Sequence, residues 1–134
     1  MIGGGHKHRM SLNDMVMIKD NHLLVTNSME GIIKSARKRH KHVEVEVENQ
    51  RDAILAASSG ATIVMLDNFS PVQIKKTITA LQKKKLRNKV KLEASGGINS
   101  KNIAVYAKTG IDMISVGEIT NSPPGIDLSL EIKL

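Results

Sequence analysis

From residue 15 onward the chain alternates short β-like runs with helical stretches, at a spacing of roughly 20 to 25 residues, which is the spacing of βα units. The runs are MVMI (15–18), VEVEVEN (43–49), TIVML (62–66), KVKLEA (89–94) and DMISV (112–116). Strands that alternate with crossover helices are expected to run mostly parallel, each crossover returning the chain to the same end of the sheet. About five parallel strands and four helices are therefore expected. The class is α/β, an incomplete (β/α) barrel of about five to six mostly parallel strands in a single domain over residues 1–134. With 134 residues the chain falls short of the ~200 or more that a complete eight-stranded barrel needs.

Helix punctuation supports the assignment. Asn27 as N-cap with Glu30 at the third helical position reads as a capping box, and Met29, Ile32, Ile33 and Ala36 form the apolar stripe behind it. Asn49 caps a helix that runs to about Ser59 and stops at Gly60. Ser70, Pro71 and Gln73 make the strongest start in the chain, ahead of a stripe of Ile74, Thr77, Ile78 and Leu81. A fourth helix is expected from about Ser100 to Lys108, ending at Gly110. After the turn residues SPPG (122–125), IDLSLEI (126–132) alternates as a final strand.

VEVEVEN alternates strictly, placing Val43, Val45 and Val47 on one face and Glu44, Glu46 and Glu48 on the other. A half-exposed antiparallel strand gives this pattern, and so does a barrel strand whose glutamates point into the lumen; the helical flanks favour the parallel arrangement.

Composition narrows the partners. A net charge of +7 and a pI near 9.8 favour anions. Phe69 and Tyr106 are the chain's aromatic residues, too few to stack single-stranded nucleic acid, so nucleic acid is disfavoured and a small phosphorylated ligand fits better. The basic clusters RKRHKH (37–42) and KKKLR (83–87) read first as solvated helix ends and second as a nucleic-acid patch. Absent cysteines exclude disulfides and thiolate metal sites. HKH (6–8) has no third ligand at a zinc spacing. No apolar run approaches the roughly 18 residues of a membrane span and no signal peptide is evident, so a cytoplasmic location without membrane contact is expected.

Polar residues gather where the strands end: Lys19 and Asp20, Glu46 and Glu48, Asp67 and Asn68, Ser95 with its glycines, then Ser115 and Gly117. In α/β proteins ligands bind outside the carboxyl ends of the strands. Lys19 in IKDNH (18–22) is a compact cation suited to phosphate or carboxylate, although a polar loop reads the same way. Glu46 and Asp67 are hard oxygen donors fit for Mg²⁺ or for ribose hydroxyls. Ser95-Gly96-Gly97, paired with Gly117 one strand on, has the form of a two-loop phosphate site.

Taken in order, GGG-x-x-HR-x-x-L-x-D-x-x-x-IKDNH (3–22), VEVEVEN (43–49), MLDNFSP (65–71), EASGGI (93–98), TGIDMISVG (109–117) and IDLSL (126–130) resemble the quinolinate phosphoribosyltransferases, the carboxylating nicotinate-nucleotide pyrophosphorylases. The resemblance implies transfer of a phosphoribosyl group from phosphoribosyl pyrophosphate to quinolinate, giving nicotinate mononucleotide, pyrophosphate and CO₂ for NAD synthesis. It implies that His8 and Arg9 hold the quinolinate carboxylates and that Lys19 sits between the dicarboxylate and the phosphoribosyl donor. Glu46 and Asp67 would take the ribose hydroxyls and Mg²⁺, while Ser95, Gly96, Gly97, Val116 and Gly117 would cradle the ribose phosphate. Family members carry an N-terminal domain and a TRKT-x-PG stretch ahead of the GGG motif, which this sequence does not contain. The expectation is a C-terminal portion that self-associates as the family dimer or takes a separate N-terminal partner. A portion that keeps the phosphate site without turnover is the first alternative, and a nucleic-acid-binding protein using the basic clusters is the second.

Overall fold

A computed structural model describes residues 4, 15–19, 28–121 and 125. Five strands form one sheet in the order β1 (Val16–Ile18), β2 (Val43–Val47), β3 (Ile63–Asp67), β4 (Lys91–Ser95) and β5 (Met113–Ile114), every adjacent pair parallel. Helices α1 (Met29–Arg39), α2 (Gln50–Ser59), α3 (Pro71–Lys83) and α4 (Ile103–Ala107) join successive strands, and a short α5 (Glu118–Asn121) follows β5. Sequential order without a reversal is the topology of a barrel arc, as distinct from a doubly wound sheet with a switch point. The strand IDLSLEI expected at 126–132 lies outside the described residues.

Register sorts every strand residue onto one of two faces. Val16, Ile18, Val43, Val45, Val47, Val64, Leu66, Leu92, Ala94 and Ile114 share the first. Ile33 of α1, Ala53, Ala56 and Ala57 of α2, and Ile74 and Leu81 of α3 pack onto it as one apolar core. Small alanines let α2 approach the sheet closely, and burying each large aliphatic side chain is worth about 1.5–3 kcal/mol. The opposite face carries Met17, Glu44, Glu46, Ile63, Met65, Asp67, Lys91, Glu93, Ser95 and Met113. The helices therefore lie outside the arc, and Glu44 and Glu46 of VEVEVEN line its inner face. Alternation in β2 marks neither a solvated face nor an antiparallel strand: Glu44 is fully buried and Glu93 nearly so.

Helix ends follow from local chemistry, with two corrections to the sequence reading. Ser70 and Gln73 form the reciprocal capping box of α3, and Asn49 Oδ1 accepts from the Asp52 amide at 2.9 Å to start α2. In α1, however, the cap is Ser28, whose Oγ accepts from the Gly31 amide at 3.1 Å. The hydroxyl one residue beyond Asn27 takes the amide, so Glu30 falls one position short of a capping box and pairs with Lys34 instead. The expected helix from 100 to 108 shortens to Ile103–Ala107, because Asn99 and Asn102 bond the backbone of 99–102 as a turn. Likewise KVKLEA enters the sheet at Lys91, after a 3₁₀ turn over Arg87–Lys89.

Polar staples fix the amino edge of the sheet. Thr62 Oγ1 accepts from the Val43 amide and donates to the Val43 carbonyl, both at 2.9 Å. Asp112 Oδ2 accepts from the Leu92 amide at 2.7 Å and meets Arg87 at 2.9 Å. Arg87 also donates to the carbonyls of Val90 and Gly110, which absorbs the last residue of KKKLR into the framework. In RKRHKH, Arg37 donates to the carbonyls of His40 and Lys41 just past the end of α1, the placement a helix C-terminus favours.

Candidate active site

The carboxyl edge gathers the chemistry. Lys19 directly follows β1 on the inner face, and its Nζ lies 3.2 Å from Glu46 Oε2 of β2. Glu46 is 21% exposed and Lys19 48%, so the pair borders solvent as well as the arc interior. Asp67, at the end of β3, stands two residues beyond Met65, the register partner of Glu46, and on the same inner face. Ser95 is the register partner of Asp67 on β4. Lys19 thus stands beside Glu46 and Asp67 beside Ser95, the second pair one inner-face position further along, on four neighbouring strands at the carboxyl edge.

The backbone turns sharply after β3 and β4. Asn68 takes a φ of 55°, its amide donates to the Ser95 carbonyl at 2.9 Å, and its Nδ2 donates to Asp67 Oδ2 at 2.7 Å. Gly96, with φ 88°, lies against this residue so tightly that an added Cβ would stand 2.3 Å from Asn68 Oδ1 and 2.7 Å from its backbone nitrogen. Gly97 is also left-handed, at φ 61°, but a Cβ there would enter open space. The two glycines have different causes. Gly96 is required by protein packing, whereas the space beside Gly97 is available to something else.

Among the described residues the amides of Gly96, Gly97 and Gly117 meet no acceptor. Amide groups of that kind at a strand end, with no side chain in the way, accept an anion readily. Gly117 follows β5, and the half-buried Val116 before it packs toward the core. Two links hold the loops after β4 and β5 together. Beneath them the Ser115 hydroxyl donates to Glu93 Oε1, inside the arc. Above them Glu118 Oε2 accepts from the Ser100 amide at 3.0 Å.

Lys19, Glu46, Asp67, Ser95, Gly96, Gly97 and Gly117 accordingly stand at one edge, as the strand-end pattern anticipates. His8 and Arg9 lie outside the described residues, as do Asp20 and His22. Sequence reasoning missed the part played by Glu93 and Asn68. For Glu93 the signal was present: it is two residues before Ser95, and the period of two puts both on the inner face. Among the described residues no three histidine, aspartate or glutamate side chains converge as a metal-binding group, and no helix is long and apolar enough to cross a membrane.

Comparison with known proteins gives concordant relatives. The family model described as "Quinolinate phosphoribosyl transferase, C-terminal domain" matches residues 1–131. A protein of Methanothermobacter thermautotrophicus named probable nicotinate-nucleotide pyrophosphorylase (carboxylating) is 49% identical over 135 residues, spanning 98% of this chain and 48% of its own length. The nicotinate-nucleotide pyrophosphorylase (carboxylating) of Rattus norvegicus is 41% identical, across 98% of this chain and 44% of its own. Among solved structures, the nicotinate-nucleotide pyrophosphorylase of Francisella tularensis matches with a TM-score of 0.83 and 43% identity, covering 95% of this chain and 44% of that one. The chain spans about half the length of the curated relatives it matches.

Proposed function

We propose that this chain, which belongs to the quinolinate phosphoribosyl transferase C-terminal domain family, carries the phosphoribosyl-handling part of a carboxylating nicotinate-nucleotide pyrophosphorylase. The reaction joins the quinolinate ring nitrogen to the anomeric carbon of phosphoribosyl pyrophosphate. The bond from that carbon to the pyrophosphate oxygen breaks, and its electron pair leaves with pyrophosphate. The carboxylate beside the ring nitrogen then departs as CO₂, and the ring carbon it leaves takes a proton, giving nicotinate mononucleotide.

Each residue has a task in that scheme. Lys19, balanced by Glu46 at 3.2 Å, offers a cation to the dicarboxylate without leaving an uncompensated charge at the edge of the sheet. His8 and Arg9 serve the same dianion by family resemblance. Glu46 and Asp67 take the ribose hydroxyls, and their negative charge favours the positive character that builds on the ribose as pyrophosphate leaves. Ser95, Gly96, Gly97, Val116 and Gly117 receive the ribose phosphate through the turns after β4 and β5. No side chain acts as a nucleophile.

Glu46 and Asp67 also suit Mg²⁺. Two hard oxygen donors on neighbouring strands are the small protein contribution expected of a magnesium ion that completes its shell with water and substrate phosphates. When bound, the ion would stabilise charge on the departing pyrophosphate. Further cations for quinolinate would come from a partner chain or from sequence beyond this half, as a second copy in a dimer or a separate N-terminal protein.

The observation that carries this reading is the Lys19–Glu46 pair at the carboxyl edge, on the same inner face as Asp67 and next to the strand that leads into the Gly96 turn. Titration calorimetry tests it. Phosphoribosyl pyrophosphate should bind in a magnesium-dependent manner, and Lys19→Ala and Asp67→Ala should each weaken binding about tenfold or more. Absence of binding by the unaltered chain, or binding by both variants as tight as that of the unaltered chain, would overturn it. Binding without product formation would identify a portion that keeps the phosphate site and lacks turnover.

A further inference from the structure

The turn between β4 and α4 holds its own backbone closely. The Asn99 amide donates to Asn102 Oδ1 at 2.9 Å, the Lys101 amide to Asn99 Oδ1 at 3.0 Å, and Asn102 Nδ2 to the Gly97 carbonyl at 3.0 Å. One amide of this turn is used differently. Ser100 donates across to the next loop, to the carboxylate of Glu118 at 3.0 Å. Glu118 is exposed and directly follows Gly117, and the turn it grips is the one whose Asn102 grips Gly97.

A carboxylate is thus bonded to a backbone N–H at the rim of the two loops that offer N–H groups to an anion. The placement has two consequences of opposite sign. The hydrogen bond braces the β4 loop against the β5 loop. The fixed negative charge repels any phosphate entering beside it, and the repulsion is felt only by charged ligands.

We infer that Glu118 is a specificity-determining residue that sets the affinity of the two-loop cradle for a phosphate monoester dianion, bracing the Ser100 amide through its carboxylate and opposing the charge of a bound ligand. This rests on the reading of the Gly96–Gly97 and Gly117 turns as a phosphate cradle. Its value to a transferase is release: a cradle with an anion built into its rim lets go of a phosphorylated product sooner than an unopposed one.

Glu118→Gln separates the two consequences, because the amide oxygen can still accept from Ser100 while the charge is gone. Calorimetry on the full chain with inorganic phosphate and with ribose 5-phosphate is the measurement. Glu118→Gln should bind both about three- to tenfold tighter than the unaltered chain, as expected for removing one like charge from the rim of an exposed anion site. The gap should narrow as salt rises. If the unaltered chain binds ribose 5-phosphate and Glu118→Gln binds it no tighter, the carboxylate is only a brace and the inference falls while the cradle stands. If the unaltered chain binds neither phosphate, the cradle itself is refuted, and the inference with it.

Discussion

Asn68 and Gly96 touch so closely that the second cannot carry a side chain: a Cβ on Gly96 would lie 2.3 Å from Asn68 Oδ1 and 2.7 Å from the Asn68 amide nitrogen. Because the backbone nitrogen cannot rotate aside, relief requires the β3 or β4 turn to move. Gly96→Ala should therefore lower stability by about 1–3 kcal/mol and displace Asp67, which Asn68 holds by a hydrogen bond. Gly97→Ala meets no atom and should cost only the left-handed backbone penalty, about 1 kcal/mol, while filling the cradle with a methyl group. Chemical denaturation paired with ribose 5-phosphate titration checks the contrast: the first substitution should lose stability and binding, the second chiefly binding.

The Lys19–Glu46 pair should matter for ligands far more than for folding. Both groups reach solvent, and such pairs contribute about 0–1 kcal/mol. Lys19→Ala should leave the denaturation midpoint almost unmoved while weakening quinolinate and phosphoribosyl pyrophosphate binding. A marked loss of stability in Lys19→Ala would mean that the pair is a structural link.

The opposite edge should behave in the reverse sense. Asp112→Ala removes the acceptor of the Leu92 amide and the partner of Arg87, both part-buried, and should destabilise by about 1–3 kcal/mol. Ligand affinity of the folded fraction should be unchanged. A loss of affinity at full folding would show the two edges to be coupled.

The hydrogen bond and charge of Lys34 hold the Glu30 carboxyl below its ordinary value of 4.5. A carboxyl depressed on folding contributes stability that is present above the unfolded pKa and is lost as pH falls through the folded one. Carbon-detected titration should place the Glu30 midpoint below 4.5, and Lys34→Ala should return it toward that value. An unchanged midpoint would show the pair to be absent in solution.

Much of this architecture is written locally. Ser70-Pro71 with Gln73, and Asn49 with Gly60, mark helix ends through bonds that span three or four residues, so a short window contains both partners. The parity of Glu44, Glu46 and Glu48 is likewise local. What that face meets is not, since the burial of Glu44 depends on curvature summed over several strands. The same holds for Gly96, whose need for hydrogen in place of a side chain arises from Asn68, 28 positions earlier in sequence and adjacent only once β3 and β4 are paired. Lys19, Asp67 and Gly117 were legible as strand-end residues. The bonds of Glu93 to Ser115 and of Glu118 to Ser100 were not, because each joins residues far apart in sequence that meet only once β4 and β5 are paired. Asn27 and Ser28 both suit a helix cap in sequence, and it is the serine hydroxyl that meets the Gly31 amide.

The staples at the amino edge, Thr62 on Val43 and Asp112 on Leu92 and Arg87, have a consequence for how such a sheet tolerates change. Strands clamped at one end can carry altered turns at the other without losing register. Selection, or an engineer, can therefore alter rim positions that meet open space, as Gly97 does, while Gly96 and Asn68 stay fixed by their contact and the amino edge goes on holding the strands in step.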